Sequence, residues 1–111
     1  MTGTSGGGTQ TTFLMALDDR IGPAAPSCYT MQRTDKFLGQ SGPADGCQHL
    51  ASEGLHGIDH IDYTLMRLPR PTNILAATRD FFEINSTRET ILDAVAAFSM
   101  LGHHKRFSYF E

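Results

Sequence analysis

The sequence has no apolar run near the ~20 residues a membrane-spanning helix requires, and no charged segment leading into an apolar core at its start. Those absences argue against a membrane partner and predict a soluble, unexported, cytoplasmic chain. Positive charge is scarce too: nine Lys and Arg stand against twelve Asp and Glu, a formal net charge of -3. No basic surface is therefore expected for nucleic acid. Cysteine is limited to Cys28 and Cys47, which in an intracellular chain read as reduced, small apolar residues rather than a disulfide. No internal repeat is present. With 111 residues, 40% of them hydrophobic, the chain is one domain at most and buries roughly 65% of its extended surface on folding.

Glycine is plentiful and placed unevenly. Gly3-Thr4-Ser5-Gly6-Gly7 fits the G-x-S-x-G pattern, in which a serine sits on a sharp turn between a strand and a helix and the glycines keep Cβ atoms out of the tight backbone. Ser5 is thus the candidate nucleophile. Such a turn needs a strand leading into it, and only Met1 and Thr2 precede Gly3, so the chain reads as beginning in the middle of a fold.

Downstream, Thr9 to Leu17 has helical spacing, with Phe13, Leu14 and Leu17 as its apolar positions. Ala24 to Thr30 reads as a strand weakened by Pro26. Residues 31–54 form a long excursion with a helical turn near Gln48 to Glu53. Leu55 to Leu68 returns to helical spacing and is stopped by Pro69 and Pro71. The continuous apolar run inside Thr72 to Thr78 suits a parallel strand covered on both faces, and Asp80 follows it, where open α/β sheets gather ligand-binding residues. Ser86 and Glu89 have capping-box spacing for a helix burying Ile91, Val95 and Phe98 up to Gly102. Arg106 to Phe110 alternates as a last strand. This order predicts an α/β fold: a three-stranded, mainly parallel sheet with three to four helices, divided as 1–30, 31–54 and 55–111.

Several separated stretches, among them Ser5-Gly6-Gly7-Gly8-Thr9-Gln10, Ala16-Leu17-Asp18-Asp19-Arg20, Ala25-Pro26-Ser27-Cys28-Tyr29, Gly57-Ile58-Asp59-His60 and Ala77-Thr78-Arg79-Asp80-Phe81-Phe82, together resemble the C-terminal half of α/β-hydrolases of the acetyl xylan esterase-like group. The resemblance implies a partial hydrolase domain that lacks the early strands. It implies Ser5 as nucleophile, the Gly6 amide as an oxyanion donor and Asp80 as the acid orienting a catalytic histidine. That histidine would follow the last strand, whereas His103 and His104 precede it.

A second constellation needs nothing from that resemblance. His56, Asp59 and His60 fall at i, i+3 and i+4, so on a helix they share a face, and Cys47 and His49 lie upstream. A Zn or Mn ion held there would supply a hydroxide nucleophile and a Lewis acid. Three readings follow: an esterase of activated small-molecule esters, needing no cofactor; a dimeric metal-dependent phosphoesterase; and an inactive truncation or interaction module. A sheet cut from a larger one exposes an edge, so a homodimer is the expected assembly.

Overall fold

The computed structural model describes residues 1–39 and 48–111. Strand β1 (Thr2–Thr4) leads into helix α1 (Gly6–Leu17), β2 (Ala25–Ser27) into α2 (Arg33–Leu38) and α3 (His60–Met66), and β3 (Thr72–Leu75) into α4 (Ile84–Met100). A 3-10 turn (His104–Arg106) precedes β4 (Phe107–Phe110). All three pairings are parallel, in the order β1-β2-β3-β4. The α/β class and parallel sheet match expectation, with four strands rather than three. The extra strand is β1: three residues suffice because it pairs residue for residue with β2, Gly3 opposite Pro26.

Strands laid side by side in chain order and joined by right-handed crossovers send every connecting helix to the same face. Accordingly α1 packs on β1, β2 and α3, α3 on α4, and α4 on β4. The buried apolar side chains include Phe13, Met15, Tyr29, Tyr63, Ile74, Phe82, Ile91 and Phe98. Phe13 meets Tyr63 and Tyr29 edge-on, at centroid distances of 5.0 and 6.2 Å.

Helix α1 departs from the expected apolar face. Leu14 and Leu17 are exposed, whereas Thr9, Thr11 and Thr12 are buried beside Phe13 and Met15. Thr9 and Thr11 can be buried here because their hydroxyls return to the preceding turn: Thr9 donates to the Ser5 carbonyl (3.3 Å) and Thr11 to the Gly7 carbonyl (2.8 Å), whereas the buried Thr12 hydroxyl has no partner among the described residues. Helix α4 does the same with Thr90 on the Ser86 carbonyl (3.0 Å), while Thr87 donates across to the Thr30 carbonyl (2.7 Å) and Val95 faces solvent.

Other expectations are corrected by local chemistry. Strand β2 is short, yet Pro26 sits at its centre: the Ala24 and Cys28 amides on either side bond the Pro71 and Leu75 carbonyls (3.1 and 2.9 Å), so only the proline rung is lost. The capping box of α4 is not Ser86 with Glu89. Glu83 is the cap, accepting from the Asn85 and Ser86 amides (3.1 and 2.7 Å). Ser86 and Glu89 instead hold Gln32, the cap residue of α2, by its amide (3.0 Å) and its side chain (3.1 Å). A real capping box stands at α3, where Asp59 and Asp62 cap the helix reciprocally. The chain before it, residues 51–57, is a run of turns rather than the start of a helix.

The long connection after β2 is tied down by charge. Glu53, 4% exposed, accepts from the Arg33 guanidinium (2.7 Å) and the Tyr63 hydroxyl (2.6 Å), with His49 Nδ1 at 3.1 Å. Burial alone would raise the Glu53 carboxyl, but the bonds from Tyr63 and Arg33 hold it below its ordinary value. Removing one partner of such a pair strands the other charge in the interior. Glu53→Ala is therefore expected to cost about 3–5 kcal/mol of unfolding free energy, against less than about 1 kcal/mol for Leu17→Ala at the exposed end of α1. Urea titrations of both variants check this; equal midpoints would contradict it.

Candidate functional site

Ser5 stands at the junction of β1 and α1 with φ 56° and ψ -118°. A non-glycine residue is held in such a conformation at a cost of about 1–3 kcal/mol only when its surroundings over-determine it. Here they do. The Ser5 amide bonds the Ser27 carbonyl on β2 (3.0 Å), and its carbonyl accepts from the Thr9 amide (2.9 Å). Although Ser5 is the N-cap residue, its hydroxyl does not cap α1. The residue is exposed.

Two glycines make the turn this tight. A Cβ on Gly3 would lie 2.4 Å from the Gly7 carbonyl oxygen, and one on Gly8 would lie 2.3 Å from the Ser27 carbonyl oxygen. Gly7 has open space where its Cβ would be. The first amides of an α-helix have no carbonyl one turn back. Those of Gly6 and Gly7 therefore present donors and the positive end of the helix dipole beside Ser5.

Next to Ser5, at the end of β2, Cys28 also has positive φ (53°), and its amide is fixed by the Leu75 carbonyl of β3. Burial pushes the Cys28 thiol up, and the neighbouring Asp80 carboxylate adds to the effect. The thiol therefore stays protonated at neutral pH. Sequence reasoning took Cys28 for a packing residue; its place between Ser5 and Asp80 was not visible without the strand order. Asp80 itself is exposed just past β3, one carboxylate oxygen accepting from the Phe81 amide (2.6 Å). It borders a cleft of about 720 Å³ whose walls include Met31, Phe81 and Glu89. Ser5 and Asp80 thus both follow the carboxyl ends of strands, β1 and β3, that are separated by β2.

At the carboxyl end of β4, Glu111 binds Arg88 (2.7 Å) and the Thr78 hydroxyl (2.8 Å), fixing the segment between β3 and Asp80. His103 and His104 precede β4, at the opposite end of the parallel sheet. Among the described residues no hydrogen bond joins a histidine to Ser5 or Asp80.

The histidines and acids of the second constellation have the following partners. His56 lies exposed in a turn before α3, Asp59 spends its carboxylate on the Arg33 amide (2.9 Å) and the His60 amide (2.6 Å), and His49 is tied to Glu53 and Arg33. His60 is 1% exposed, stacked on Tyr29 at 4.3 Å, with Nδ1 accepting from the Met31 amide (3.3 Å). Cys47 lies outside the described residues. Among the described residues no three His, Cys, Asp or Glu side chains come together as a metal-ligating group.

No family model matches the sequence, and no curated protein matches it. Among solved structures, the chain is similar to a carbohydrate esterase family 15 (CE15) glucuronoyl esterase from Caldicellulosiruptor kristjansonii, with a TM-score of 0.72 and 17% identity, over 97% of this chain and 36% of that one. The chain thus spans about a third of that protein's length. At this identity the likeness shows the fold alone, an α/β arrangement on a parallel sheet. No described helix is long and apolar enough to cross a membrane.

Two outcomes follow from this geometry. Gly8→Ala is expected to unfold the turn or destabilise the protein by several kcal/mol, whereas Gly7→Ala is expected to be tolerated or to stabilise by about 0.5–1 kcal/mol through helix propensity; thermal melts of the two variants decide. For His60, burial first, then the charges of Arg33 and Lys36, lower the pKa from 6.5 to about 3. Below pH 6.5 the unfolded chain binds a proton that the folded one refuses. Stability should fall from pH 6.5 toward 3, by up to about 1.4 kcal/mol per pH unit, and His60→Gln should remove that share of the slope. Denaturant midpoints at pH 7.5 and 5.0 test it, and an unchanged difference in the variant would refute it.

Proposed function

We propose that this chain carries the nucleophile and acid of an ester-hydrolysing site. Ser5 Oγ attacks the ester carbonyl, the Gly6 amide receives the developing oxyanion, and Asp80 orients a histidine base supplied from outside this chain, whose five histidines all lie among the described residues. The observation that carries the reading is the strained, exposed Ser5 turn at the head of α1. A serine held at a cost on the rim of a sheet, its hydroxyl uncommitted to capping, is arranged for chemistry rather than for folding. The fold shared with a glucuronoyl esterase supports it.

In the first step the Ser5 oxygen bonds the carbonyl carbon while its proton passes to the base. Collapse of the tetrahedral species expels the alcohol, to which the base returns the proton, leaving an acyl group on Ser5. Water then attacks the acyl-serine along the same route. The oxyanion forms where amides already point, so no dipole has to reorient during the reaction. The protonated Cys28 thiol is a bystander to the electron flow.

The test is turnover of an activated aryl acetate. Ser5→Ala is expected to lower kcat at least about a hundredfold and to abolish labelling by a fluorophosphonate, and Asp80→Asn to lower kcat at least about tenfold with KM little changed. Cys28→Ala should remain active. A Ser5→Ala variant as fast as the parent would falsify the reading.

A further inference from the structure

Arg67, the residue that closes α3, is 2% exposed. Its Nη2 donates to the Gly22 carbonyl on the segment between α1 and β2, but Nε and Nη1, equally buried, have no hydrogen-bond partner among the described residues. Those two atoms carry more than half of the guanidinium's N–H donors. Among the described residues no carboxylate forms an ion pair with Arg67. The charge that weighs on it is a second cation: burial first, and then Arg70, push the Arg67 guanidinium below its ordinary value. Arg70 itself is met by Asp19 (2.9 Å), an aspartate 95% exposed that approaches from solvent.

Arginine differs from other buried titratable groups in that it does not shed its proton inside a protein. A water molecule would satisfy the free N–H groups and leave the charge uncompensated, which is strongly destabilising in an interior. An anion answers both needs at once. We propose that Arg67 binds a halide, chloride in the first place, through its Nε and Nη1 N–H groups. Burial sets the size. A site whose donors have no contact with solvent takes a compact monatomic anion and excludes sulfate, which needs more room and more donors to replace its water. Gly22 stands on the approach to β2 and Arg67 on the approach to β3, so the site lies at the amino rim of the parallel sheet, opposite Ser5 and Asp80 and independent of the ester-hydrolase reading. There the halide neutralises the cation that ties the end of α3 to the connection between α1 and β2.

Thermal melts at constant ionic strength, with sodium gluconate as the balancing salt, test this first. The midpoint of the parent is expected to rise saturably with chloride, by about 5 °C at a tenfold excess over the half-saturating concentration. Arg67→Met, which keeps an unbranched side chain and removes the charge, should show no such rise, and sulfate should produce no rise that depends on Arg67. In crystals of the parent soaked in bromide, an anomalous peak is expected within hydrogen-bonding reach of both nitrogens. A midpoint indifferent to chloride, an equal rise in Arg67→Met, or an ordered water in place of the bromide peak would overturn the proposal. A rise with sulfate that is lost in Arg67→Met would overturn the assignment to a compact halide. Should Arg67→Met fail to fold, the bromide measurement on the parent decides by itself.

Discussion

The structure depends on how closely α1 can approach the ends of β1 and β2. The Ser27 carbonyl oxygen lies where a Cβ of Gly8 would be, and the Gly7 carbonyl where a Cβ of Gly3 would be. Only hydrogen atoms fit in either gap. That closeness lets the same Ser27 carbonyl take the Ser5 amide, and it holds Ser5 in a conformation no unconstrained serine would keep. Strand pairing, helix packing and the presentation of the hydroxyl are consequences of one backbone contact.

From that contact outward, the interior is held by polar groups that find partners both near and far in sequence. Thr9 and Thr11 on α1 and Thr90 on α4 return their hydroxyls to backbone carbonyls one turn back. Glu53 ties the long connection after β2 to α2 through Arg33 and to α3 through Tyr63. Gln32 is held by Ser86 and Glu89, so α2 is anchored to α4 by side chains 54 and 57 residues away in sequence. These are long-range bonds; those to Glu53 satisfy buried donors, and the Gln32 side chain meets Glu89 at the surface.

The carboxyl end of the sheet collects the reactive groups for the same topological reason. Parallel strands in chain order put every strand-to-helix turn on one rim, so Ser5, Cys28, Asp80 and Glu111 arrive together although they span nearly the whole sequence. His103 and His104 enter β4 from the opposite rim. Two other histidines serve structure: His60 accepts the Met31 amide beneath Tyr29, and His49 lies against Glu53.

The sequence by itself determined the α/β class, the glycine-framed Ser5 turn, the strand holding Ile74 and the final aromatic strand. Each is written in local signals: glycine where no Cβ fits, an unbroken apolar run, two-residue alternation. What it could not carry were β1, α2, the true caps of α3 and α4, the buried threonine faces, and Cys28 as neighbour to both Ser5 and Asp80. A three-residue strand has no periodicity of its own. A threonine's burial depends on a carbonyl one turn away, and a glutamate that looks like a cap by spacing can be recruited by a glutamine over 50 residues distant. Only tertiary structure decided those, because a hydrogen bond is made to whichever partner the fold brings within 3 Å, and sequence separation sets no limit on that.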